Sequence, residues 1–160
     1  MIVLILCLAL GLSGCAIKGG GISRNHRGER LAIERGRLTE LTDSTARTKS
    51  YIVISDILLS FAADAGRDRD HEGFRGLLIE YSRAIESARD TMVSSERSAH
   101  RKSRGDPDLE NALARQIKTL QNLRTDIEAE DRASLDGAIQ LATAIREKIG
   151  GVASRTNSEN

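Results

Sequence analysis

Helix-breaking proline is almost absent from this chain, and apolar residues recur along it at three- and four-residue steps. Pro107 is the only proline among 160 residues. Proline interrupts helices, and apolar residues at this spacing give a helix one face that can be buried. The combination favours α-helices over strands, so the sequence predicts an all-α protein.

The apolar spacing predicts five helical segments, and the first is the most polar of them. This N-terminal helix covers about residues 28–42, and the most apolar segment follows at about 45–65. The next segment, about 70–98, has the cleanest register; the fourth begins at Pro107 behind the N-cap residue Asp106, and the last covers about 132–149.

Short connections between these segments make an antiparallel helical bundle the predicted architecture. Four main amphipathic helices form it, with the polar N-terminal helix flanking or extending it. A long two-stranded coiled coil is the alternative, but Gly66 and the Gly105-Asp106-Pro107 turn interrupt any continuous heptad pattern. Gly66 and Gly150-Gly151 are predicted helix ends, and a break is predicted near Glu130-Asp131.

An apolar run, Met1–Leu12, precedes these helices and ends in Leu12-Ser13-Gly14-Cys15. The run is shorter than the roughly 20 residues that span a bilayer, and it ends in small residues, as secretory signals do. The tetrapeptide resembles the lipobox of bacterial lipoproteins. Secretory signals normally carry a basic residue before the apolar run, whereas the first basic residue here is Lys18. An ordinary signal peptide or an uncleaved anchor that contains a cysteine is therefore the alternative, and so is a true start upstream.

The resemblance to bacterial lipoproteins implies cleavage between Gly14 and Cys15 and attachment of lipid, such as palmitate, to Cys15. The protein would then be held in the cell envelope by a lipidated residue. In the sorting system of two-membrane bacteria, Asp after the lipidated cysteine retains a lipoprotein at the inner membrane. Because Ala16 stands there, the resemblance implies the outer membrane, facing the periplasm.

The domain organisation that follows has four parts. Residues 1–14 are the signal peptide, and 15–27 are the lipidated cysteine with a flexible, glycine-containing tether. Residues 28–150 are the helical bundle domain, and 151–160 are predicted to be a disordered tail.

Composition excludes several function classes. The 24 Lys and Arg residues nearly balance the 23 Asp and Glu residues, whereas nucleic-acid binders are normally strongly basic. Stacking platforms for nucleic acid need aromatic side chains, and here there are only two Phe, two Tyr and no Trp. Cys7 would leave with the signal peptide and Cys15 would carry lipid, so no disulfide or cysteine-based metal site is expected.

A partial calcium-loop pattern occurs at Asp68, Asp70 and Glu72, with Gly73 at the turn position. The bidentate acid that such a loop needs at its twelfth position is replaced by Ile79. The apolar register also indicates that a helix has begun here, and acidic residues at a helix start complement its dipole without a metal.

Other chemistry-bearing patterns are also incomplete. The three histidines lack a His or Cys partner at helical ligand spacing, and no nucleophile or phosphate-loop motif is present. The acids Glu128, Glu130 and Asp131 are interpreted as exposed helix-end residues. No catalytic residue, metal or cofactor is therefore predicted, and a zinc site assembled from distant residues is the minor alternative.

The densest basic cluster lies in and beyond the end of the third helix. It is a candidate contact for an anion or an acidic partner, although charge that merely solvates a loop explains it as well. Its members are Arg97, His100, Arg101, Lys102 and Arg104.

Two functions remain open. The favoured one is a non-enzymatic interaction or structural accessory lipoprotein, whose partners are the lipid bilayer, through Cys15, and an envelope protein. The alternative is a protein that binds a small ligand, metal or lipid between the helices of its bundle.

Overall fold

The structure is a computed structural model that describes residues 24–98 and 106–156, and within those ranges it is all-α with no strand. Side chains are described for residues 24–95 and 106–150. Residues 24–98 and 106–156 form five α-helices and one short 3-10 helix: α1 (Arg24–Glu40), α2 (Ser44–Asp68), α3 (His71–Ser98), α4 (Pro107–Leu123), the 3-10 helix Ala129–Asp131, and α5 (Arg132–Thr156). This confirms the predicted all-α helical bundle and its five helices.

Helices α2 to α5 form the bundle, and α1 flanks it. The pair α2 and α3 has the most extensive contact, and α4 and α5 form a second pair. Helix α2 also contacts α4, and α3 also contacts α5, which closes a four-cornered arrangement. Helix α1 packs along α2, so the polar N-terminal helix lies on the bundle rather than extending it.

The core is built from the apolar stripes that the sequence spacing predicts. Phe74, Leu113, Leu120 and Leu135 are fully buried, and Ile145 is 1% exposed. Burying a side chain of this size contributes about 1.5–3 kcal/mol relative to leaving it exposed. The core therefore draws on α3, α4 and α5 together, and α2 adds its own buried face.

A polar network crosses this core and joins three helices. The Tyr81 hydroxyl on α3 donates to Gln116 Oε1 on α4 at 3.2 Å. The Gln116 amide in turn donates to Ser55 Oγ at 2.8 Å and to Asp56 Oδ1 at 2.6 Å, both on α2. Ser55 Oγ donates to the Ile52 carbonyl at 2.8 Å. Buried polar groups need partners of this kind, because an unpaired one is costly in the interior.

The sequence predicts that the second helix ends at Gly66, but α2 continues to Asp68. Arg69 follows it in the left-handed region, with φ of 58°, and the backbone N–H groups of Arg69 and Asp70 return to the carbonyls of Gly66 and Ala65. This is the usual hydrogen-bonding pattern of a helix end, with arginine in the place that glycine usually takes. Gly66 instead permits close packing, since a Cβ there would lie 3.2 Å from Ile127 Cγ2.

Two outer boundaries also differ from the prediction. Helix α1 begins at Arg24, so residues 24–27, assigned to the tether, are helical. They are held by long-range ion pairs between α1 and α2, such as that of Arg27 with Asp64. Helix α5 continues to Thr156 through the predicted stop at Gly150-Gly151. Burial of Ile149 at 4% exposure ties its last described side chains to the core, and packing of this kind overrides the modest helix cost of glycine.

Candidate functional site

The site residues predicted from the sequence fall almost entirely outside the described residues. This applies to Gly14 and Cys15, and to the basic residues His100, Arg101, Lys102 and Arg104. Arg97 lies in α3, but its side chain is outside the described part. The lipidation site and the basic contact therefore stay predictions.

The structure instead assembles a cluster at one end of the bundle, where α3 begins and the 3-10 helix leads into α5. His71 is the first residue of α3, and Glu130 and Asp131 are the last two residues of the 3-10 helix. We call His71, Glu130 and Asp131 the His71 cluster. This cluster is a candidate metal site, because one ligand atom from each residue lies within 4.8 Å of the others.

Local capping explains why His71 is placed at the start of α3. Asp70 Oδ1 accepts a hydrogen bond from the Gly73 backbone N–H at 2.9 Å, and its carbonyl accepts from the Phe74 N–H at 2.8 Å. Asp70 thus caps α3 and commits its side chain to that role. The calcium-loop pattern at residues 68–73 is consequently not a loop, because α3 has begun by His71. Asp68 pairs with Arg24 at 2.8 Å.

Two carboxylates converge on one ring nitrogen in the His71 cluster. His71 Nδ1 is 2.8 Å from Glu130 Oε1 and 2.7 Å from Asp131 Oδ2. On the other side of the ring, His71 Nε2 is 4.0 Å from Glu128 Oε2. The imidazole therefore has acidic groups near both of its nitrogens.

Burial differs sharply among the three acids. Asp131 is only 2% exposed, so the prediction that these acids are all exposed helix-end residues is wrong at this position. The side chains of Glu128 and Glu130 are about half exposed, at 49% and 55%. Asp131 Oδ1 accepts no hydrogen bond. Arg75 Nε forms an ion pair with this oxygen at 3.1 Å, but its N–H donates to the His71 carbonyl at 3.2 Å.

The electrostatic environment of His71 favours its protonated form when no metal is bound. The hydrogen bond to Asp131 raises the pKa of His71 above its usual value, and the charges of Glu130, Asp131 and Glu128 add to this increase against some desolvation. Arg69 Nε lies 3.3 Å from Glu128 Oε1. Two arginines, Arg69 and Arg75, and His71 thus face the three carboxylates at positions 128, 130 and 131. The net charge of these groups is negative whenever His71 is neutral.

A second charged group fastens α1 to α2. Asp64, 6% exposed, receives the Arg27 guanidinium at 2.5 Å and Arg24 Nε at 3.6 Å, and Arg67 also hydrogen-bonds to it. Burial raises the pKa of Asp64, but the hydrogen bonds and charges of Arg27 and Arg67 outweigh it, so the pKa lies below its ordinary value. The Arg27 guanidinium also lies 5.2 Å from the centre of the Phe61 ring, within cation–π range. These contacts hold α1 against α2.

Clefts in the described surface are open rather than enclosed. One of them, about 720 Å³, is lined by polar and charged side chains such as Arg47 and Asp90 where α2 begins. A smaller one of about 280 Å³ lies between α1 and α2 beside His26 and Arg30. The first of these clefts, open and with polar walls, differs from the mostly apolar, enclosing pockets that bury a small organic ligand.

Each member of the His71 cluster is noticeable in the sequence, but the sequence does not predict that they lie close together in the fold. Sixty residues separate His71 from Asp131, so no local spacing rule for metal ligands applies. The usable signal was the acidic run Glu128-Ala129-Glu130-Asp131 at a predicted break, the kind of element that can lie beside another helix start.

Comparison with known proteins identifies no protein family whose model matches this chain, and no curated protein or solved structure with significant similarity. The fold and site therefore define its class by themselves: an all-α protein with a flanked four-helix bundle and a histidine–carboxylate cluster at one end.

Proposed function

We propose that this protein is a non-enzymatic accessory lipoprotein of the bacterial envelope, which binds an envelope partner while lipid on Cys15 holds it at the membrane. The observation that carries the proposal is the tetrapeptide Leu12-Ser13-Gly14-Cys15 at the end of the apolar run. An outer-membrane location facing the periplasm is the finer expectation, since Ala16 rather than Asp follows the cysteine.

Anchoring by lipid is compatible with the helices in the described residues. Across 24–98 and 106–156, no helix has both the length and the apolar character required to cross a bilayer. Two or more acyl chains hold a protein stably, since each buried methylene contributes about 0.8 kcal/mol.

The exposed surface of α1 supports an interaction role. This helix packs on the bundle along α2 and turns most of its side chains to solvent, among them Ile33, which is 61% exposed. A large apolar side chain on a mostly charged helix is a natural centre for a protein contact, in which apolar anchors contribute more than charged rims. Ile79 on α3, 54% exposed, offers a comparison position on another face.

Crosslinking in intact cells tests the proposal. A photo-crosslinking amino acid is placed at position 33 in a C-terminally tagged full chain, and the same residue at position 79 serves as the matched control. We expect one dominant envelope protein to be captured from position 33, and much less of it from position 79. Capture of only abundant envelope proteins at equal levels from both positions would contradict the interaction role.

The anchor is tested separately with Cys15→Ser. We expect this variant to lose an incorporated fatty-acid label, to leave the membrane fraction and to capture less of the partner from position 33. Unchanged membrane retention together with unchanged mass would contradict lipidation at Cys15.

A further inference from the structure

The His71 cluster has the donor types and the convergence of a metal site. One imidazole nitrogen and two carboxylate oxygens come from two separate parts of the chain and meet at a single point. Zinc takes nitrogen from His and oxygen from Asp and Glu at about 2.0–2.2 Å. In tetrahedral geometry, ligand atoms at that distance lie about 3.3 Å apart.

The observed spacing is slightly shorter than a bound ion requires. His71 Nδ1 is 2.7 and 2.8 Å from the two carboxylate oxygens, as expected for direct hydrogen bonds. Opening the cluster needs a movement of about half an ångström. The His71 ring and the Glu130 side chain can supply it because they are 30% and 55% exposed, while the buried Asp131 holds its position.

Asp131 provides a separate indication that the cluster binds a cation. Its side chain is 97% buried, with only 3% exposed, yet Oδ1 accepts no hydrogen bond. Leaving a buried carboxylate oxygen without a hydrogen bond is costly, and the ion pair with Arg75 Nε at 3.1 Å offsets part of that cost. A divalent cation beside this carboxylate would add to the positive charge that Arg75 already supplies.

We propose that His71, Glu130 and Asp131 bind a divalent transition-metal ion of the zinc type at this end of the bundle. The imidazole ligand selects such ions over Mg²⁺ and Ca²⁺, which prefer sites made only of oxygen. The half-exposed Glu128 lies 4.0 Å from the opposite nitrogen of His71, beyond hydrogen-bond distance but on the side where an outer carboxylate stands in such sites. The proposal departs from the sequence-based expectation that the protein holds no metal.

A bound ion would connect the two halves of the bundle. His71 begins α3, whereas Glu130 and Asp131 precede α5, so one ion crosslinks two helix starts that are distant in the sequence. The proposal is independent of lipidation and of any protein partner.

Calorimetric titration of Zn²⁺ into the purified full chain, in mild detergent and without a histidine tag, tests the site. We expect one saturable site per chain, a rise in Tm on adding Zn²⁺ that a chelator reverses, and no comparable effect of Mg²⁺ at equal concentration. The absence of saturable binding, or equal binding of Mg²⁺, would overturn the proposal.

Three variants separate a metal site from nonspecific binding. Glu130→Gln removes a half-exposed ligand with little risk to folding, and His71→Ala removes the nitrogen ligand; each should weaken Zn²⁺ binding by at least about tenfold. His26→Ala is the matched control, because His26 is an exposed histidine on α1 outside the cluster. Equal affinity in Glu130→Gln and in the control would refute the assignment, even if His71→Ala fails to fold.

Discussion

The hydrogen-bond network centred on Gln116 predicts a clear cost for Tyr81→Phe. The substitution removes only the hydroxyl of a side chain that is fully buried, so the ring keeps its packing. What is lost is the 3.2 Å hydrogen bond from Tyr81 to Gln116 Oε1, and that oxygen is left buried without this donor. A neutral hydrogen bond contributes about 1 kcal/mol net, and an unsatisfied buried partner costs about 1–3 kcal/mol.

We therefore expect Tyr81→Phe to lower the free energy of unfolding by about 2 kcal/mol. For a chain of this length, that corresponds to a fall in Tm of about 4–8 °C. Urea and thermal unfolding followed by circular dichroism measure both quantities, and the slope of the urea transition should be unchanged if the native state stays compact.

Tyr51→Phe is the matched control for this experiment. Tyr51 lies on α2, is only partly buried, and packs against the core from its edge. The same chemical change there should alter Tm by less than about 2 °C. If Tyr81→Phe is as stable as Tyr51→Phe, the network does not stabilise the bundle, and the reasoning from buried polar groups fails.

Two further predictions concern charge and core packing. Because the pKa of Asp64 in the folded protein lies below its ordinary value of 3.8, its stabilising effect is complete above that pH and is lost as pH falls through the folded pKa. Urea unfolding should thus show stability falling between about pH 5 and pH 3, and Asp64→Asn should flatten that fall; an unchanged profile would contradict the assignment. Leu58→Ala, at a side chain 1% exposed, should cost about 2–5 kcal/mol in the same assay, whereas Ile79→Ala, at a side chain 54% exposed, should cost well under 1 kcal/mol; equal costs would contradict the observed core.

The fold was predictable from the sequence where local signals agreed with packing. The register of α3 rests on an uninterrupted apolar stripe, and the start of α4 rests on the Asp106-Pro107 capping signal; in each helix the apolar face is buried. Both predictions are confirmed. The ends marked by Gly66 and Gly150 were wrong, because glycine also serves close packing and does not by itself stop a helix. Ile127 next to Gly66 illustrates the contact that no local pattern reveals.

The site was less predictable than the fold, for a physical reason. The pairing of His71 with Asp131 depends on two helix starts lying side by side, and a 60-residue separation carries no periodic signal. Burial of Asp131 was equally hidden, because an acid at a helix start usually faces water. The early start of α1 depends in the same way on ion pairs such as Arg27 with Asp64, which are 37 residues apart.

The ion pair between Arg24 and Asp68 has a consequence for how the bundle would stand on a membrane. It fixes the start of α1 beside the end of α2, which is also the end of the bundle where His71 begins α3. Nine peptide steps separate Cys15 from Arg24, a reach of at most about 30 Å. With Cys15 as the proposed attachment point, the pole that carries the His71 cluster would lie within about 30 Å of the lipid.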